Sequence, residues 1–217
     1  MAANADSDTW EQEWLKTDFS RHSFDLTGVI TGGIGRDVIP AIDEPTIGDL
    51  ENAKQVHDVR EPVITVTVNG ETRAYPKTVL IWHEIVNDTL GGVPIAVTFC
   101  PLCNTSIVFD RRVGDAVLDF GTTGNLRFSD LVMYDRQTES WWQQFTGNAI
   151  VGELLDTDLR MIPSSVERFE RFVNANPDGK VLVPNNPTMR RYGSNPYDNY
   201  DSRCVLYPLF RGDLTTD

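Results

Sequence analysis

The chain is short of the residues on which much protein chemistry is built. It holds three cysteines, three histidines and, among nineteen basic residues, only four lysines: Lys16, Lys54, Lys77 and Lys180. Three cysteines do not make the disulfide framework of a small secreted scaffold, and 217 residues can bury a core without one. No apolar run approaches the length of a transmembrane helix, and no signal peptide opens the sequence. A second Cys-x-x-Cys, which would complete a four-thiolate zinc site, is absent. A surplus of basic charge is lacking too. The formal charge is -13 and the pI near 4.6, which speaks against nucleic acid and anionic membranes as partners. Excess acid with little lysine points to a salt-adapted or GC-rich source.

What is present centres on Ile95 to Asp110, where Cys100-Pro-Leu-Cys103 sits between two apolar, β-branched runs. Such runs read as short strands, so the cysteines are expected to cap a hairpin with their sulfurs converging. A thioredoxin-type motif would instead open a helix after the second position. Residues 1–25 read as a polar lead-in, with Trp10, Trp14 and Phe19 spaced to stick it onto a single globular domain over 26–217. Thr31 to Pro45 carries glycines without a preceding strand or a helix signal, so it reads as an irregular loop with Arg36 and Asp37 as an internal ion pair.

Val63 to Tyr75 is the clearest hairpin, with Ile64, Val66 and Val68 alternating and Asn69-Gly70 fitting a type I′ turn. Pro76 suits the first turn of a helix running to about Asn87, which would place His83 inward with Val79 and Val86. Ala116 to Phe120 reads as a strand and Gly121 to Asn125 as a loop. Leu131–Tyr134 and Ser140–Phe145 read as the arms of another hairpin, Asp135 capping its turn. Ser164 and Glu167 have capping-box spacing for a helix to about Val173. Asn185 to Ser202 reads as a long ordered loop, and Val205 to Phe210 as an edge strand, since Pro208 forbids a central one. The sum is a β-rich α+β domain of short antiparallel hairpins with about two short helices.

Several of these pieces together resemble a prokaryotic family known as domain of unknown function 3179. They are Thr17-Asp-Phe-Ser-Arg-His22-Ser, Gly32-Gly33 with Arg36-Asp37, and Ile39-Pro40-Ala-Ile-Asp43. His83-Glu-Ile-Val-Asn-Asp88, Cys100-Pro-Leu-Cys103, Ser129-Asp-Leu-Val-Met-Tyr-Asp135-Arg136, Trp142-Gln and Phe145-Thr-Gly147 complete the set. The resemblance implies secreted or lipid-anchored proteins of bacteria and salt-loving archaea, hence an extracytoplasmic location. It brings no established activity. In the family pattern glycine follows the second cysteine; here it is Asn104, which also tolerates a left-handed backbone.

Two functions stay open on the residues. The first is a thiolate site of Cys100, Cys103 and His83. It would be either a metal centre for zinc, iron or copper, or a thiol redox site with His83 as base and Glu84 or Asp88 orienting it. Cys204, His22 and His57 are the remaining candidate ligands. The second is a non-catalytic binding module with structural cysteines. Its ligand surface, for a small anionic or aromatic molecule, would use Arg127, Asp130, Arg136 and Trp142, with the Tyr-rich loop nearby. The bland reading of those tyrosines is that they pin their loop to the domain.

Overall fold

The computed structural model describes residues 7–197, and within them the chain is a β-rich α+β domain of small, mainly antiparallel sheets. The first sheet joins β1 (Val29–Thr31), β10 (Phe120–Arg127), β11 (Asp130–Asp135), β12 (Trp141–Gln143) and β13 (Asn148–Val151), in that order. The second runs β14 (Met161–Ile162), β7 (Thr105–Asp110), β6 (Val93–Cys100) and β5 (Ile85–Leu90). The third runs β15 (Ser164–Arg168), β3 (Pro62–Val68), β4 (Glu71–Pro76), β16 (Lys180–Val183) and β2 (Thr46–Gly48), with β16 parallel to β4. A ribbon of β8 (Arg112–Val113) and β9 (Ala116–Val117) stands apart. Four short helices accompany the strands: α1 (Ser7–Glu13), α2 (Leu50–Val56), α3 (Lys77–Leu80) and α4 (Phe169–Ala175). None of the described helices is long and apolar enough to cross a membrane.

Two expected hairpins form for the expected reasons. Asn69 and Gly70 take φ of 49° and 84°, the left-handed pair a type I′ turn requires, and Ile64 and Val66 go fully into the core. Cys100 ends β6 and pairs with Thr105, so the Cys-Pro-Leu-Cys turn caps a hairpin, with Asn104 at φ 50°. The lead-in aromatics also bury: Trp10, Trp14 and Phe19 each pack against Trp141 with ring centroids 5.1–5.4 Å apart. Such aromatic pairs add about 0.5–1.5 kcal/mol each beyond the area they bury. Asp135 does cap its turn, accepting from the Thr138 backbone N–H at 2.7 Å.

Other expectations need correcting. The helix after Pro76 stops at Leu80, and Ile85–Leu90 is a strand. Gly91-Gly92 at φ 55° and 76° turns it directly onto β6, and that pairing outweighs the helical spacing of Val79, His83 and Val86. Ser164–Arg168 is likewise a strand, because it pairs residue by residue with β3; the helix begins only at Phe169. Gly121–Asn125 belongs to β10, which absorbs Gly124 at φ 75° in a register shift rather than looping out. Of Ala116–Phe120, only Ala116–Val117 forms a strand before β10 begins at Phe120. Arg36 pairs not with Asp37 but with Glu139 at 3.0 Å, while Asp37 accepts from the Tyr134 hydroxyl. The loop from Asn185 is irregular as far as it is described; Tyr200, Cys204 and the strand expected at Val205–Phe210 lie outside the described residues.

Candidate functional site

The site lies where the Cys turn of the second sheet meets the first sheet at the start of β11. Cys100 is buried and Cys103 half-buried, and both are free thiols. Asp130 joins them: one ligating atom from each of the three residues falls within 4.8 Å of the others. Asp130, only 5% exposed, is fixed by its own neighbours. Its Oδ2 accepts from the Gln143 side-chain amide and, at 2.9 Å, from the Phe145 backbone N–H. That leaves Oδ1 facing Cys103 Sγ at 3.2 Å. The Cys100 thiol approaches the Ser129 carbonyl at 3.9 Å, a long contact that suits a weak S–H donor.

A second polar line supports Cys103. Its sulfur lies 3.2 Å from Thr105 Oγ1, which lies 3.0 Å from Gln144 Oε1. The fully buried Gln144 in turn donates to Thr98 Oγ1 at 2.8 Å. The single Thr105 hydroxyl hydrogen thus has two acceptors within reach, and an ionised sulfur is the stronger one. The two thiols are not equivalent. The hydrogen bond between them holds Cys103 below the ordinary thiol range and pushes Cys100 far above it, and burial raises Cys100 further.

Glu84 borders the same place. It is 6% exposed, sits at φ 60°, and its backbone carbonyl accepts from the Phe99 N–H at 2.8 Å, one residue before Cys100. Glu84 lines a cavity of ≈ 60 Å³ together with Leu102 of the Cys turn, Leu131 and Tyr197. Burial raises its pKa to about 8, with the Asp130 charge adding to the effect against a hydrogen bond from Tyr197.

The other expected site residues fall elsewhere. His83 lies in a turn, not on a helix. Its Nδ1 donates to the Pro40 carbonyl at 2.8 Å, so Nε2 accepts from the Tyr192 hydroxyl at 2.7 Å. With both nitrogens so engaged, the position beside the thiols that His83 was expected to take belongs to Asp130. Asp88 does not orient it either, being bound by Arg73 and the Tyr75 hydroxyl. His57 bonds the Leu182 carbonyl at 3.2 Å and His22 the Phe24 carbonyl at 2.7 Å. Trp142 is fully buried, donating to Asp135 at 2.9 Å with Phe120 edge-on against its ring, so no face is open to a ligand. Arg136 pairs with Asp43. Arg127 stays near the site, its guanidinium 4.3 Å from the Phe24 ring centroid and 4.4 Å from that of Phe128.

Sequence reasoning missed Gln143, Gln144 and Thr105, whose only signal was their polarity inside strands that are otherwise apolar. Taken together, fold and site define a β-rich α+β domain with a dithiol–carboxylate cluster at a seam between two sheets. The chain belongs to the family described as "Protein of unknown function (DUF3179)", whose model matches residues 36–215. No curated protein and no solved structure matches it.

Proposed function

We propose that this protein carries out thiol–disulfide exchange, with Cys103 as the attacking thiolate and Cys100 as the resolving thiol. The observation that carries the reading is the unequal placement of two free thiols on one turn. Cys103 is half-buried with the Thr105 hydroxyl 3.2 Å from its sulfur, while Cys100 is buried, and the pKa shifts of the pair agree in direction, Cys103 lowered and Cys100 raised. The Cys103 thiolate attacks one sulfur of a substrate disulfide; that S–S bond breaks, and the departing sulfur leaves as a thiolate that takes up a proton. Cys100 then gives its proton to a carboxylate at the site or to water and attacks the Cys103 sulfur. A Cys100–Cys103 disulfide forms and the second substrate thiol is released. Two electrons pass from the protein dithiol to the substrate, and the reverse sequence oxidises a substrate dithiol. An extracytoplasmic location, where disulfides persist, belongs to the same proposal, as does a single domain over 26–217 preceded by a lead-in.

A second reading rests on one observation, the close approach of three ligating atoms from Cys100, Cys103 and Asp130. Two thiolates and a carboxylate suit zinc, and a water would fill the fourth position of an open site; iron or copper fit the sulfurs as well.

One experiment separates the readings. Purified protein is analysed for metal, then its thiols are titrated before and after equilibration with a glutathione redox buffer. Exchange predicts a reversible loss of two thiols that C103S abolishes. Stoichiometric metal, lost in the C100S/C103S protein, would replace exchange with the metal centre. With neither result, the chain is a binding module with structural cysteines, its ligand surface reduced to the neighbourhood of Arg127.

A further inference from the structure

Opposite charges elsewhere in the fold close on each other, as Arg73 does with Asp88, Arg111 with Asp119 and Arg136 with Asp43. Glu61 and Lys77 do not. Both line a cavity of ≈ 210 Å³ whose walls are completed by Pro62, Ile81, Phe99 and the turn at Ser194. Glu61 is only 9% exposed, and its Oε1 accepts from the Thr78 backbone N–H at 2.7 Å. Lys77 is anchored elsewhere. Its ammonium donates to Asn104 Oδ1 at 3.0 Å and lies 4.6 Å from the Phe99 ring centroid. Neither residue forms an ion pair with any described residue. An acid and a base thus border one space without meeting across it.

Each of the two feels the other's charge, and burial pushes the Glu61 carboxyl up and the Lys77 ammonium down. A bound group of opposite charge at each would offset that loss of hydration. The volume is below the roughly 300–1,000 Å³ of sites that enclose a ligand of drug size, so the occupant is smaller than that.

We infer that this cavity binds a small α-amino acid as its zwitterion, the ammonium group on Glu61 and the carboxylate on Lys77. A plain anion would bring its charge toward Glu61, and a plain cation toward Lys77. A quaternary ammonium is recognised by open aromatic faces, and Lys77 already lies over the ring of Phe99. Pro62, Ile81 and Phe99 leave an apolar wall suited to an aliphatic side chain. The site uses neither thiol, so it stands or falls apart from the exchange reading.

The test is isothermal titration calorimetry of the whole protein with glycine, L-valine and L-leucine. Two analogues of valine each lack one charge: 3-methylbutanoate has no ammonium and L-valinamide no carboxylate. At least one amino acid should bind with a Kd below about 1 mM. Both analogues should bind about tenfold more weakly than valine or worse, because each leaves one charged wall unanswered. E61Q, whose side-chain carbonyl can still accept from Thr78, should weaken valine by about tenfold and leave 3-methylbutanoate no weaker than before. K77M should do the same with valinamide as the spared probe. Circular dichroism verifies that both variants fold, and the comparison of probes on the unaltered protein holds without them. No binding of any amino acid at about 10 mM, a concentration that would reveal even weak complexes, overturns the site. Equal affinity for valine and 3-methylbutanoate reduces it to an anion site, and equal affinity for valine and valinamide to a cation site; either result overturns the zwitterion. Undiminished valine binding in E61Q or K77M overturns the placement.

Discussion

The β3–β4 hairpin and the ring of turns around the thiols solve the same backbone problem with different residues. In the hairpin the left-handed positions are Asn69 and Gly70, which adopt them at little cost. Gly91 and Gly92 do the same at the next turn. Around the thiols, Glu84, Phe128 and Ser129 hold φ of 60°, 54° and 60° instead. Each non-glycine residue so placed costs on the order of 1–3 kcal/mol. One region minimises strain. The other spends stability at the point where the chemistry is proposed, and each costly residue does something there. Glu84 lines the small cavity beside the Cys turn, Ser129 offers its carbonyl to Cys100, and Phe128 puts a ring into water.

The largest effect expected from this contrast is electrostatic. Folding raises the Glu84 pKa from 4.5 to about 8. Between those values the folded state binds a proton that the unfolded state has released, so stability should fall as pH rises through that window. Glu84→Gln should remove this slope, read as the difference between urea midpoints at pH 5 and pH 8. An unchanged slope would mean the carboxyl is hydrated and the contrast is weaker than drawn.

Next comes the cheap side of the comparison. At Gly91 a Cβ would lie 2.2 Å from the Val68 carbonyl oxygen, and φ is already positive. Gly91→Ala should therefore cost about 2–3 kcal/mol in a denaturant titration, since backbone itself must move. A smaller effect of opposite sign is expected where the costly turn is made cheap. Phe128→Asn with Ser129→Gly should raise stability by about 0.5–2 kcal/mol in total, because strain is relieved and an exposed ring removed. Loss of stability there would show that the ring serves the fold.

The smallest effect concerns Asn104, the one inexpensive left-handed residue at the site, which positions Cys103 without strain. Cys100→Ala removes the neighbouring thiol that holds Cys103 low, so the Cys103 pKa should rise toward that of a free thiol. Alkylation by iodoacetamide at pH 7 should then slow by about fivefold, as the thiolate fraction drops. An unchanged rate would place the activation elsewhere, at Thr105.

What could be read from the sequence was local. Alternating Ile64, Val66 and Val68 with Asn-Gly, or β-branched runs around Cys-Pro-Leu-Cys, dictate hairpins whatever the rest of the chain does. β5 was hidden because Pro76, Val79, His83 and Val86 satisfy helical spacing equally well, and only the Gly91-Gly92 pair argued for a turn between strands. The site was half legible. Asp130 stands 27 residues from Cys103 and on another sheet, and no spacing rule connects residues that meet only when two sheets pack. His83 looked like the partner because it is nearer in sequence and the right residue type. Its nitrogens went instead to Pro40 and Tyr192, which a buried imidazole needs as much as a metal would.

The aromatic knot of Trp10, Trp14, Phe19 and Trp141 has a practical consequence. Trp141 opens β12, the strand paired with the one that begins at Asp130. Indoles in edge-on contact at about 5 Å couple optically and give signed near-ultraviolet bands that vanish when the rings part. The protein thus carries an internal optical gauge on the strand next to the one that begins at Asp130. Release of the lead-in, or a shift of β12 when the dithiol changes state, can be followed without attaching any label.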